Sequence, residues 1–531
     1  MPSNEEVKGM RHFKFLLVIT SAMVLTAEAS TGQSTLTQDA KIWENGLGSG
    51  AQFGIRASRN ENMLLVGTNG SAGSSAIDGA EAAYLYEFSS GIWGDPIKFI
   101  PWDNPSTPNR FGLDVEIAGD IVAIGAHLDG EAGADRAGAV YVFHFNSEYP
   151  PLGQWEPELK ILNPDGLELG VFGHTLSLFE NTLAVSSHGG GTSIPESVYF
   201  YERDPFSSVD QWSYISKVSS PTDSDDEFGY SIDVYGNYAI VGAPKANSNS
   251  GKVYLLEYLP SSQNWVIVRS FEPTGDTDFG RSLVIDGDLM AIGSPGLGND
   301  RGAVYIYRYY PLFDSWFFEE RFVPPIQREV DGFGGSVSID GGTIAVGASG
   351  VGGSSNLPGI AFIYRYSSGR WLLEHECVAS DGRGADGFGE DIILTQEQLV
   401  VGAPFNDSAQ VDSGAIYVYD LEPRLLLQVA PNPAVSLDLT SIQVKQCTPL
   451  EPVFVVYSTN GYGSTPVPSM NIELDLYQVQ YGLKLTADFW GEASFTGVVP
   501  EVASALNIWL QALQFGKVSN VVEAQIMPYT E

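Results

Sequence analysis

Positive charge is scarce in this 531-residue chain. Its 27 Lys and Arg face 65 Asp and Glu, a net charge of −38 at pH 7 that falls almost wholly between residues 30 and 423. Such a surface repels phosphate and anionic lipid, which excludes nucleic acid and acidic membranes as partners. Bound cations, cationic partners and plain solubility all stay compatible with it. Cysteine is nearly absent too: Cys377 and Cys447 are the only two, too few for a disulfide scaffold. Their separation allows one bridge closing a long loop, or two independent buried thiols, the preferred reading. Six histidines leave few metal sites to build. There is no Gly-x-Ser-x-Gly elbow and no His-Glu-x-x-His helix. There is no phosphate loop either, since "SGKVY" lacks the upstream Gly and the Ser or Thr. The sequence therefore assigns no catalytic residue, no metal and no cofactor, and a non-enzymatic protein is expected.

Long apolar runs are missing as well. The longest candidate, "FLLVITSAMVL", is short for a bilayer and follows Arg11, His12 and Lys14. "TAEAS" comes next, with Ala27 and Ala29 at the small positions of a signal-peptidase site. Residues 1–29 are expected to be a signal peptide, with Met10 an alternative start, and the mature chain to be secreted or held at the cell surface, without a transmembrane segment.

What the chain has in abundance is one sentence, repeated. Phe-Gly occurs at Phe53, Phe111, Phe172, Phe228, Phe279, Phe333 and Phe388, at intervals of 51 to 61 residues. Each copy alternates apolar and polar residues, turns within two to four residues and ends on small ones: "FGYSIDVYGNYAIVGAP", "FGLDVEIAGDIVAIGAH", "FGRSLVIDGDLMAIGSP". A loop, a third strand such as "GAVYIYRY" and a fourth headed by Trp, such as "SWFFEERF", complete the unit. A four-stranded sheet must bury both faces, and sheets arranged radially bury each other, so residues 30–423 are predicted to form a seven-bladed β-propeller. Each Phe is expected in a seam between blades, with the following Gly turning the backbone.

The seventh copy lacks a fourth strand, and "TLTQDAKIW" (35–43) precedes the first copy where one belongs. It is expected to close the ring as the outer strand of blade seven, with "RLLLQV" (424–429) the competing donor. Residues 424–531 lose the Phe-Gly period and show short alternating stretches, which predicts an all-β C-terminal domain, a small sandwich of the immunoglobulin or fibronectin kind.

The run of Phe-Gly and Val-Gly-Ala-Pro copies resembles the FG-GAP repeat proteins, best known from the integrin α-subunit propellers. The resemblance covers about residues 35–422. Many integrin-type repeats carry a calcium loop between the first two strands. Here that link is too short for six or more oxygen ligands, so the calcium is not carried over and the chain is similar to the calcium-free bacterial branch. Arg-Gly-Asp is absent.

Three histidines are the candidate constellation. His127 and His188 end the second strand of blades two and three, and His174 follows the blade-three Phe-Gly, so the three are expected to open toward one face. They read as a metal or anion site, or as ordinary loop residues in place of the motif's Pro, the second being favoured. Asp226, Asp331 and Asp386 recur two residues before Phe-Gly and are read as turn caps. The acidic "DSDDEF" (223–228) is read as a solvated loop. The long polar links between strands two and three, with Asp129, Asp135, Lys245, Asp300, Arg301, Asp407 and Asp412, differ in every blade. They share one face, where recognition of a protein or glycan ligand by a monomer is expected. The opposite face is expected to offer little room. An alternative reading, a propeller-face lyase or hydrolase acting on polysaccharide, requires carboxylates clustered with a His or Tyr at the ring mouth. A structural part of an extracellular assembly is the third.

Overall fold

The computed structural model describes residues 34–421 except 37, 71–80, 90–91, 104–108, 131–135, 148–152, 167–169, 189–194, 206–210, 223–224, 274, 297–300, 326–331, 351–358 and 368–369. Beyond these it describes the backbone of ten strands between 426 and 527. The expected signal peptide, Asp135, Asp300, Asp331 and Cys447 lie outside the described residues.

Seven antiparallel sheets follow one another along the chain from Ala57 to Asp420. Blade two is representative: Phe111–Ala118, Ile121–Ala126, Ala139–Asn146 and Gln154–Leu162 pair in order from the axis outward. The second strands carry the small residues of the motif and are buried end to end, as in Ile121–Ala126, Leu289–Ser294 and Gln398–Ala403. The first strands of consecutive blades touch around the axis, blade seven meeting blade one. Among the described residues the core is seven apolar clusters, each spanning two neighbouring blades.

The motif residues make these seams. All seven Phe rings are at most 1% exposed. Each meets an aromatic ring of its own blade's third strand edge-on, at centroid distances such as 5.2 Å for Phe111–Tyr141 and 5.5 Å for Phe388–Tyr417. The Gly of the small-residue strand packs on the Phe-Gly backbone of the next blade. A Cβ on Gly242 would lie 2.1 Å from Gly280 O, and one on Gly402 would lie 2.2 Å from Gly54 O. Blade three alone has a side chain there, Ser186, whose Cβ would stand 3.1 Å from a Cβ on Gly229. The Trp that heads a fourth strand reaches back to the previous blade: Trp212 Nε1 donates to Glu158 Oε1 at 2.9 Å, and Trp371 Nε1 to Glu319 Oε1 at 2.8 Å.

Ring closure follows the expected route with one correction. Ala40–Ile42 pairs antiparallel with Ala415–Asp420 as the fourth strand of blade seven, Lys41 opposite Tyr417. The start of the segment does not join it: Ser34–Thr35 runs parallel to Arg370–Cys377 as an extra outer strand on blade six. A continuous strand over 35–43 would need one straight sheet, and the segment instead crosses from one blade to the next. Leu426–Ala430, the competing donor, pairs with Leu439–Lys445.

Lys41 also completes a device repeated around the rim. Among the described residues, in four blades a third-strand Tyr donates its hydroxyl to an Asp that precedes the Phe-Gly, and a fourth-strand cation pairs with the same Asp. The sets are Tyr141–Asp103–Lys160, Tyr199–Asp165–Lys217, Tyr305–Asp276–Arg321 and Tyr417–Asp381–Lys41. In the last the cation comes from the other end of the chain.

Cys377 is a free, buried thiol in the seam of blades six and seven, its pKa pushed up to about 12 by burial and by Glu376. Among the described residues of the C-terminal region, three sheets are formed, of three, five and two strands.

Candidate functional site at the channel mouth

The first strand of each blade enters at the long-loop face, and the second strand ends there. The positions just after Phe-Gly therefore ring the mouth of the central channel. Three residues after Phe, the side chain usually ties its blade to the next. Ser231 Oγ donates to Gly280 O at 2.7 Å, Ser282 Oγ to Gly334 O at 2.8 Å and Ser336 Oγ to Gly389 O at 2.8 Å. Blades seven, one and two depart from this pattern with Asp391, Arg56 and Asp114. Asp391 accepts from Ala57 N at 2.7 Å and Asp114 from Leu176 N at 2.6 Å, so each carboxylate still bridges to the following blade.

Arg56 stands between them. Burial disfavours its charge, but Asp391, Asp114 and Glu390 outweigh that and hold it above its ordinary value. For the two carboxylates burial wins over Arg56, pushing Asp114 to about 7 and Asp391 to about 6. Deeper in the channel burial also raises Asp233 to about 7, although Ile285 N donates to it at 2.7 Å. Glu116, which accepts from Ser58 Oγ at 2.8 Å, is raised well above the usual range by burial and by Asp114.

The three histidines do come together. The His174 ring lies 5.3 Å from His127 and 4.6 Å from His188, both edge-on, and Tyr230 sits 6.2 Å from His174 and from His188. Arg281 covers the Tyr230 ring at 4.9 Å. His174 Nδ1 contacts Thr175 Oγ1 at 3.1 Å, while His127 Nδ1 and His188 Nε2 are buried with no hydrogen-bond partner. Burial holds all three neutral, His127 down to about 3 and His188 to about 4, and their charged neighbours Arg110, Arg56 and Lys245 push the same way. Among the described residues no group of three His, Cys, Asp or Glu is placed to hold a metal ion.

The other described candidates make contacts within the ring. Asp226 accepts from Ser220 Oγ at 3.2 Å, and Asp386 from Arg383 N at 3.0 Å and Asn406 Nδ2 at 2.8 Å, as turn caps. Asp129 is buried against Tyr141 and Lys160, Lys245 pairs with Glu227 at 2.6 Å, and Arg301 donates to Pro325 O. Asp407 accepts from the Asp412 backbone at 3.1 Å. Arg56, Tyr230 and Arg281 escape a reading that treats each copy alone. Stacking the seven copies shows Arg, Asp, Thr, Ser, Ser, Ser and Asp at one position, and the ionisable three are neighbours in the ring.

These groups give stability a pH dependence whose sign is set by opposing sets. Asp114, Asp233 and Asp391 have raised folded pKa values. Their contribution is present below the unfolded carboxylate range and is lost as pH rises through about 6 to 7. The histidines have lowered values, and their contribution is lost as pH falls from the unfolded value of about 6.5 toward 4. The melting temperature is expected to rise by only about 1 °C between pH 8 and 6.5 and then to flatten or fall. Calorimetry across that range checks it, and a steady fall from pH 8 to 6.5 would contradict it.

The FG-GAP repeat family model matches residues 93–143, 215–256, 316–364 and 371–419. Each match runs from a Trp-containing fourth strand through the third strand of the next blade. The chain carries FG-GAP repeats. In such a propeller the sequence repeat is offset from the blade by one strand, which is why the first blade's upstream strand closes the last. Among solved structures, Sqt1 of Saccharomyces cerevisiae is 11% identical with a TM-score of 0.42, over 73% of this chain and 100% of that one. An exo-β-1,3-galactanase of Phanerochaete chrysosporium is 11% identical with a TM-score of 0.28, over 60% and 90%. A glycoside hydrolase is 10% identical with a TM-score of 0.25, over 66% and 95%. No curated protein matches the sequence. Among the described residues no helix is long and apolar enough to cross a membrane.

Proposed function

We propose that this FG-GAP propeller is a non-enzymatic recognition module of an exported protein, taking a protein or glycan ligand at the channel mouth on its long-loop face. The row His127–His174–His188–Tyr230 carries the reading. It gathers polar rings from three blades, two of them with an unpartnered nitrogen, at the one place where all seven blades converge. The ionisable groups beside it are engaged in holding blades together, which favours selectivity without turnover. The alternation in residues 424–531 fits a C-terminal sandwich that presents or anchors the ring, and a monomer is expected.

One observation favours the alternative. Asp114 and Asp391, raised to about 7 and 6, lie near Arg56, which also acts on His174, and this is the clustering that a polysaccharide lyase or hydrolase would require. A glycan and protein array probed with the mature chain, repeated with His174→Ala and Tyr230→Ala, tests the first reading. Loss of the ligand on substitution supports it, and retention at full affinity refutes it. Release of products from uronate polysaccharides between pH 5 and 8, abolished by Asp114→Asn, would establish the second instead.

A further inference from the structure

The seam between blades seven and one is built unlike the others. Elsewhere a Trp closes the outer part of the seam. Trp265 stacks on Phe200 of the preceding blade at 4.5 Å with the rings 14° apart, and Trp316 and Trp371 are buried. At the closing seam both outer strands are short. Blade seven has only Ala40–Ile42, and blade one has Ile92–Trp93 and Ile97–Phe99, broken at Gly94-Asp95-Pro96. Pro96 cannot donate to a ladder, so the strand does not continue through it. A groove of about 600 Å³ is left in the flank of the ring.

Its lining is half apolar and half polar. Trp43 is 41% exposed, and blade one contributes Ile92, 70% exposed, and Trp93. Glu44, Asn45 and Asp95 supply planar carboxylate and amide groups at the rim. Flat indole faces suit the C–H face of a sugar ring, and carboxylates and amides suit its hydroxyls. Charge narrows the class. Asp39, Glu44, Asp95 and Asp420 outnumber Lys41, which disfavours an anionic sugar. The chain's own cations already lie over the two indoles, Lys41 Nζ at 5.9 Å from Trp43 and Arg59 at 5.8 Å from Trp93, which disfavours a cationic one. The volume falls in the ordinary range for small-ligand sites.

We propose that this groove, formed by ring closure and separate from the channel mouth, is a binding site for neutral saccharide. It does not depend on what the mouth binds. The test is calorimetric titration of the mature chain with neutral oligosaccharides of glucose, galactose, mannose and xylose, beside oligogalacturonate and a chitosan oligomer. At least one neutral oligosaccharide is expected to saturate. Trp43→Ala and Trp93→Ala should each weaken it about tenfold or more, while His174→Ala at the mouth leaves it unchanged. Ile92→Asp, at the most exposed large apolar residue of the lining, should do the same without disturbing the fold, and covers the case in which a Trp variant fails to fold. No saturable neutral ligand, a preference for the uronate or the chitosan, or full affinity in Trp43→Ala and Ile92→Asp would each overturn the assignment.

Discussion

A chain that begins at Gly46 should melt about 5–10 °C below the full mature chain and should self-associate. Removing the closing strand takes away the burial of Ile42, 8% exposed in the seam of blades seven and one, worth about 2 kcal/mol. It also removes Lys41, which pairs with Asp381 at 2.6 Å beneath Tyr417; because Asp381 is half exposed, that pair is worth only about 1 kcal/mol. The ladder to Ala415–Asp420 and the extra strand on blade six go with them. For a domain of this size, several kcal/mol correspond to a shift of about that many degrees. The exposed edge of Ala415–Asp420 is then a template for a second chain. Calorimetry and light scattering on a sizing column decide the matter. An unchanged transition with a monomeric peak would show that Ala40–Ile42 contributes nothing to closure.

Gly402→Ala should be strongly destabilising, costing about 3 kcal/mol. Its Cβ would lie 2.2 Å from the Gly54 carbonyl oxygen, a backbone atom with no rotamer to yield, so blades seven and one must part. The same contact recurs at Gly67, Gly125, Gly242, Gly293 and Gly347, where the nearest atom is again a carbonyl oxygen of the next blade's Phe-Gly. Ser186 is the internal control. Blade three tolerates a Cβ at this position, so Ser186→Gly should cost only the hydrogen bond that Ser186 Oγ accepts from Thr175 N, about 1–2 kcal/mol. Denaturant titration of the two variants gives the comparison. Equal midpoints for Gly402→Ala and the parent chain would mean that the blades are not held at the spacing described.

Much of the fold was legible along the chain because a propeller blade is a local object. Phe-Gly, a two-residue turn, small residues and a Trp-headed strand each specify their own structure within some fifty residues, and seven copies specify seven blades. The missing fourth strand in the last copy even pointed to the N-terminal segment as its replacement. The channel mouth was half legible. His127 and His188 share a repeat position in adjacent blades, so their approach could be foreseen, whereas the Asp391–Arg56–Asp114 grouping joins residues of blades seven, one and two whose separations in sequence say nothing of contact. Only tertiary structure decided that Ser34–Thr35 would leave blade seven for blade six, that Lys41 would serve an Asp some 340 residues away, and that the closing seam would stay open as a groove. The reason is that alternation and turn chemistry act over neighbouring residues and are written in order. Closing a ring instead sets the distance between its first and last sheets, and what fills or fails to fill that gap depends on both ends of the chain at once.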